Sequence, residues 1–245
     1  TDERGQTVTL TRDGNGNVST VVEPPNSQTT RYQYNALNRL TDQRDALDKR
    51  LLYEYDGAGN ITARTVRYVT ETQNVNRRVN YSYDALNRIV GFTADDGETV
   101  AYAYDAMSRL IRMNDGIGEW QWEYDGFGRL VKEIYPDGKT ILREYDASGN
   151  QTKLTDPSGL ARTMIYDAAN RLTEIADSRG KTITLVYDHA GNVERVNYAN
   201  GVVKTADYDD ANQADEIKYR LGSTTLLKMK FEYDEVGNRV KQQEG

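Results

Sequence analysis

One seven-residue phrase recurs eleven times along this chain of 245 residues, and no other property narrows its possible folds so far. One copy reads Tyr83-Asp84-Ala85-Leu86-Asn87-Arg88-Ile89 and another Tyr55-Asp56-Gly57-Ala58-Gly59-Asn60-Ile61. Others open at Tyr34, Tyr104-Asp105, Tyr124-Asp125, Tyr145-Asp146, Tyr166-Asp167, Tyr187-Asp188, Tyr208-Asp209 and Tyr233-Asp234, with a degenerate copy at Arg12-Asp13. Most copies start 20 to 22 residues apart. A fixed period of this size marks a repeat architecture. It also weighs against an enzyme, because a catalytic site is a singular arrangement and almost everything here is plural.

We number each copy from its tyrosine as position 0. Position +1 is Asp everywhere except Asn35; position +4 is Gly or Asn except Ser108; position +5 is Arg, Asn or Gln; position +6 is usually aliphatic, as in Leu40, Ile61 and Leu110. This is turn chemistry. An Asp caps its own backbone two residues on, and Gly or Asn adopts the left-handed conformation that closes the loop. A second set of turns falls at +14, at Gly97, Gly118, Gly138, Gly159, Gly180, Gly201 and Gly222. Between the turns, positions −4, −2 and 0 are apolar or aromatic, as in Leu51/Tyr53/Tyr55 and Trp120/Trp122/Tyr124, while −3 and −1 are more polar. Alternation with aromatic enrichment predicts half-buried strands, and no stretch carries the apolar stripe of a helix.

The expected fold is therefore all-β: a repeat array of antiparallel β-hairpins, with about twenty-two short strands in a single continuous domain over residues 1–245. At ~4.8 Å between strands the ribbon is ~100 Å long, and so long a sheet curves or spirals. The −2 and 0 aromatics are expected to stack as ladders on one face, leaving the polar face to water. Two steps are longer than the rest, from Tyr55 to Tyr83 and from Tyr208 to Tyr233. They predict longer hairpins near residues 62–80 and 214–230, the first around Val69-Thr70-Glu71-Thr72-Gln73-Asn74.

Composition removes several function classes. There is no cysteine, hence no disulfide scaffold and no Cys-ligated zinc. No run of about 18 apolar residues offers a membrane span. Net charge is −7, with acidic and basic residues interleaved and no basic stripe for nucleic acid. The 18 tyrosines suit a surface that is half packed and half wet. The start, Thr1-Asp2-Glu3-Arg4-Gly5, has neither Met nor a signal-like stretch, and the array opens mid-pattern, as expected of a piece of a longer polypeptide.

The repeated Tyr-Asp-x-x-Gly/Asn-Arg/Asn-Leu, with Gly fourteen residues after the Tyr, resembles the YD repeat of the Rhs family, over essentially the whole chain. The B–C components of insecticidal Tc toxins and the vertebrate teneurins share such arrays, and the regularity here resembles the bacterial ones. The resemblance implies a hollow β-sheet shell that encloses a C-terminal toxin in a secreted or cell-surface bacterial protein. The implied partners are flanking shell repeats and the enclosed toxin domain of the same polypeptide. Asp156-Pro157-Ser158-Gly159-Leu160 is similar to the Asp-Pro-x-Gly-Leu motif of the family's self-cleaving C-terminal core. However, Gly159 is the ordinary +14 glycine of its copy, so we read the segment as a repeat turn.

Other candidate sites are weaker. Asp13-Gly14-Asn15-Gly16-Asn17 has the oxygen-rich look of a calcium loop but not the ligand spacing of an EF-hand. The tyrosines invite glycan binding, the basis of an alternative reading as a carbohydrate-binding or adhesion module at the cell surface. His189, the one histidine, sits in a turn with no second His or Cys near it in sequence. No carboxylate pair stands out among 38 acidic residues as a glycosidase pair would. We therefore expect no catalytic residue, no metal and no cofactor, and end-to-end self-association through free sheet edges.

Overall fold

The computed structural model describes residues 7–25, 28–70 and 73–245. The start, Thr1 to Gly5, and Glu71 and Thr72 of the first long step lie outside them. The chain divides into two compact units, Thr1–Gln121 and Trp122–Gly245. The first contains β1 (Thr9–Arg12), β2 (Val18–Glu23), β3 (Gln28–Tyr34), β4 (Leu40–Arg44), β5 (Arg50–Tyr55), β6 (Ile61–Val69), β7 (Asn74–Tyr83), β8 (Ile89–Ala94), β9 (Thr99–Tyr104) and β10 (Leu110–Asn114). The strand β11 (Glu119–Tyr124) runs through the division. The second unit continues with β12 (Leu130–Ile134), β13 (Thr140–Tyr145), β14 (Gln151–Thr155), β15 (Ala161–Tyr166), β16 (Leu172–Asp177), β17 (Thr182–Tyr187), β18 (Val193–Asn197), β19 (Val202–Tyr208), β20 (Ala214–Leu221), β21 (Thr224–Tyr233) and β22 (Arg239–Glu244). Every described pairing is antiparallel between strands consecutive in sequence, so the all-β hairpin array holds.

The turns after the tyrosines form one three-residue connection. In the copy at Tyr83, the Asp84 N–H donates to the Arg88 carbonyl at 3.0 Å and the Asn87 N–H to the Asp84 carbonyl at 3.0 Å. Asn87 takes φ 60°, and Gly59 takes the same place at φ 98°. The ladder slips by one residue at the tyrosine before such a turn, as at Ser82/Tyr83 and Glu54/Tyr55, which is the bulge such a turn produces. Turns at the opposite rim repeat the geometry, for example Asp156 to Leu160 with Gly159 at φ 85°. Gly118 differs from the other glycines at +14. Its φ is 154°, almost extended, and Gly116 at φ 81° is the left-handed residue of that turn.

The two long steps lengthen strands rather than loops. β6 and β7 pair out to Val69↔Asn74, and β20 and β21 out to Leu221↔Thr224.

Packing is shallow. Among the described residues no large side chain is fully buried. The expectation that one face would be packed and the other wet gives way to burial on both. Val100, Val196, Ala206 and Phe231 are buried on the face that carries the tyrosines. Ala63, Thr65, Asp42 and Glu216 are buried on the opposite face. That face holds its charges by pairing them across strands: Lys132 with Glu123 at 2.8 Å, Lys153 with Glu144 at 2.8 Å, and Lys241 with Glu232 at 2.6 Å.

Candidate functional site

Position +1 begins the site. The Asp84 Oδ1 accepts the N–H of Leu86 at 2.9 Å and of Arg88 at 3.0 Å, while Oδ2 accepts Arg88 Nε at 2.7 Å. Where +5 is Asn, its amide replaces the guanidinium, as when Asn60 Nδ2 donates to Asp56 Oδ2 at 2.9 Å. The same caps surround Asp105, Asp125, Asp146, Asp167, Asp188 and Asp234, and Asp209 accepts the backbone of Ala211 and Gln213. In Asp13 the carboxylate is used in this way too, by Asn15 and Asn17, so turn capping accounts for the calcium-like loop.

Donors converging on a carboxylate favour its charged form. The Arg88, Arg109 and Arg171 backbone N–H groups hold Asp84, Asp105 and Asp167 below the ordinary value of 3.8. The Asn60, Asn150, Asn192 and Asn238 amides do the same for Asp56, Asp146, Asp188 and Asp234. Burial pushes the Tyr55, Tyr83 and Tyr208 hydroxyls above 10.0. A depressed carboxylate contributes stability that is present above its unfolded pKa and lost as pH falls through the folded one. A raised tyrosine contributes stability that is lost as pH rises through its folded pKa. The melting temperature should therefore be flat near neutrality, fall below about pH 4 and fall again above about pH 10. A melting temperature equal at pH 6 and pH 3 would contradict the acid limb.

The tyrosine is the second component, and it reaches backwards. The hydroxyls of Tyr34, Tyr55, Tyr83, Tyr104, Tyr145, Tyr166, Tyr187, Tyr208 and Tyr233 donate in the same way. Each bonds the carbonyl of position +6 in the preceding repeat, between 2.6 Å for Tyr55 to Leu40 and 3.2 Å for Tyr208 to Val193. Tyr124 ends β11 at the matching place.

The recurring partner of these rings is an arginine rather than the expected neighbouring ring, although Tyr81 and Phe92 do meet at 6.4 Å. The +5 guanidinium of the preceding repeat lies over the ring: Arg39 over Tyr55, Arg88 over Tyr104 and Arg129 over Tyr145 at 4.7 Å, and Arg171 over Tyr187 at 4.6 Å. Such a stack contributes about 0.5–1 kcal/mol at exposed sites and more when dry. Arg39, Arg88 and Arg129 also donate Nη1 to the +1 carbonyl of the next copy.

Position +5 and position +4 of the next copy are matched. Each +5 Asn that has a following copy, namely Asn17, Asn60, Asn150 and Asn192, precedes an Asn at +4: Asn38, Asn87, Asn170 and Asn212. Their amides bond across the junction at 2.8 to 3.0 Å. Each Arg or Gln at +5 precedes a Gly or Ser. At Ser108 the hydroxyl accepts Arg88 Nη1 at 2.9 Å, a Cβ on Gly59 or Gly191 would be in ordinary contact with the arginine Nη1 at 3.8 Å, and one on Gly237 would crowd Gln213 Nε2 at 2.9 Å. Sequence reasoning that treats each repeat alone misses this rule, because it spans two copies.

One copy breaks the pattern. Asn35 caps Leu37 and Arg39 through Oδ1 but offers no carboxylate, and Arg39 Nε is left buried without a partner. Asn35→Asp should therefore stabilise the chain by about 1 kcal/mol, by supplying the charge-assisted bond its siblings have. The urea midpoint checks this, and no rise would refute it.

The +14 glycines Gly97, Gly138, Gly159, Gly180, Gly201 and Gly222 all take positive φ in turns of the opposite rim. His189 is exposed in the Tyr187 turn. Among the described residues no three of His, Cys, Asp and Glu are grouped to hold a metal, and no helix is long and apolar enough to cross a membrane.

A sequence profile of the family described as Teneurin YD-shell matches residues 2–201. A search of curated proteins returns no match. Among solved structures, the crystal structure of TcdB2-TccC3-Cdc42 is similar in fold, with a TM-score of 0.57 and 17% identity, over 97% of this chain and 15% of that one. The crystal structure of TcdB2-TccC3 is similar with a TM-score of 0.53 and 18% identity, over 97% of this chain and 16% of that one. The chain thus spans about a sixth of the solved chains it resembles.

Proposed function

The chain belongs to the teneurin YD-shell family, and on that premise we propose that it is a stretch of non-catalytic shell wall in a secreted, bacterial Rhs-type protein. The wall is one continuous array, curved around a C-terminal toxin of the same polypeptide and flanked by further repeats. Its task is mechanical: to keep the enclosed domain apart from its surroundings until delivery.

The observation that carries this reading is how the recurring side chains are used. The +1 carboxylate is taken up by its own turn. The tyrosine hydroxyl is taken up by the previous repeat. The ring lies beneath an arginine in the copies at Tyr55, Tyr104, Tyr145 and Tyr187. Groups that would bind a sugar or polarise a substrate are spent on joining neighbours, which is what a wall requires. Stability is then a sum of nearest-neighbour terms, and the wall extends by repetition.

The test is intact-mass analysis of the full natural polypeptide. The wall reading expects a discrete C-terminal product, cleaved from the chain, that co-purifies with it until denaturant is added. A single uncleaved chain that binds a glycan array would replace this reading with a surface-binding one.

A further inference from the structure

Position −1, the residue before each tyrosine, lies on the face opposite the rings. It is Gln, Glu, Ser, Ala or Asp in eight copies and aliphatic in two adjacent ones, Ile165 and Val186. Where −1 is Glu144 or Glu232, the lysine across the ladder at +8 neutralises it, Lys153 at 2.8 Å and Lys241 at 2.6 Å. In the two aliphatic copies +8 is still charged. Glu174 stands across from Ile165, and Arg195 across from Val186. Among the described residues neither of these charged side chains has a hydrogen bond or an ion pair. Ile165 is 53% exposed and Val186 45%, although β15 and β17 are interior strands paired on both sides. The same face continues through Thr163, Ala176 and Thr182, which face one another across the ladder and carry no charge.

We propose that this face of β15 to β18 is a two-fold contact with a second copy of the chain, in which Glu174 of each copy pairs with Arg195 of the other. Self-complementarity decides the occupant. A patch with one stranded acid and one stranded base is completed by an identical patch turned over onto it, since an isologous interface makes each contact twice. A purely acidic or purely basic partner would satisfy one of the two charges and bury the other unpaired.

The register gives the geometry. Glu174 lies in one row with Thr184 and Asn197, and Arg195 is two residues along from Asn197. The two charges are therefore roughly 12 Å apart, at ~4.8 Å per strand and ~3.4 Å per residue. The two-fold axis then crosses β17 between Thr184 and Val186. It sets Val186 against its own copy and places Ile165 beside the ion pair, so both exposed aliphatics are covered. A face of four strands buries on the order of 1,000 Å² in total, the size of weak, reversible complexes. The contact uses no strand edge and is independent of whether the array encloses a toxin.

The test is sedimentation equilibrium of the whole chain from about 10 µM to about 500 µM, the range in which so small an interface associates. The average mass should rise towards that of two chains. Glu174→Arg and Arg195→Glu each set like charges together at both contacts, and each alone should weaken association by about 10-fold or more. An equimolar mixture of the two variants should associate as the native chain does, because the mixed pair holds one native and one reversed ion pair. The doubly reversed chain should do the same. Circular dichroism confirms that each variant is folded. A native chain that stays monomeric, association indifferent to either reversal (as pairing through sheet edges would be), or a mixture and a doubly reversed chain that stay apart would each overturn the proposal.

Discussion

Gly91→Val is expected to lower the stability of the chain by about 2–3 kcal/mol, one of the two largest single effects foreseen here. Gly91 lies in β8, buried, facing Ala101 on β9 and Ser82 on β7. Its φ is ordinary, so backbone freedom is not the reason for a glycine. A Cβ would meet the Val100 carbonyl oxygen at 2.6 Å. That atom belongs to the neighbouring backbone and cannot move aside as a flexible side chain would, so β8 and β9 must separate or the ladder must bend. Urea unfolding measures the loss. Hydrogen exchange should show faster opening of β8 and β9, with β15 to β18 unchanged, because each repeat leans on its neighbours alone. Gly57→Ala is the control: nothing lies within 4 Å of its Cβ and its φ is not positive, so it should be neutral or slightly stabilising. Equal midpoints for Gly91→Val and Gly57→Ala would sink the argument.

Glu216→Ala should cost about 2 kcal/mol. Glu216 is 7% exposed on the face opposite the tyrosines, directly across from Asp207, another acid. It is held there by three ammonium groups: Lys218 in contact, Lys228 at 2.9 Å and Lys230 at 3.4 Å. Breaking a fully buried pair costs about 3–5 kcal/mol because a charge is stranded. The lysine side chains here are 24% to 54% exposed, so water recovers part of that loss. Glu216→Gln keeps the shape and removes the charge, and should lose nearly as much. Both losses should shrink in about 1 M salt, where the screening length is ~3 Å. A midpoint indifferent to either substitution would show that the lysines do not need the carboxylate.

The hairpin array was legible in the sequence because its determinants are local. Asp84 finds its acceptors' partners two and four residues on, and Asn87 or Gly59 needs only its own φ. The two long steps show the limit of turn spacing alone, since it does not say that the extra residues of β6–β7 and β20–β21 join the ladder. The links between repeats were not legible. The stack of Arg171 on Tyr187 joins residues 16 apart, and which of them meet depends on the pairing register and on which face each strand turns inward. An alternating pattern gives the face but not the partner, hence the expectation of ring ladders where arginines stand. Gly118 shows the same limit at short range. The glycine at the periodic place has φ 154°, and the nearby Gly116 supplies the left-handed conformation. The missing signal was present in the composition of junctions: Asn17 with Asn38 and Arg39 with Gly59 state the rule once adjacent copies are compared.

The backward reach of the tyrosines gives the array a direction of growth. Each hydroxyl is bonded to a carbonyl that comes earlier in the chain, at a strand start already fixed by its own turn. During synthesis the polypeptide leaves the ribosome N-terminus first, so every tyrosine emerges to find its acceptor in place. No repeat waits on a later one for its clamp. Each such junction therefore needs nothing beyond its own tyrosine to close, so the chain carries a polarity running from its first repeat to its last.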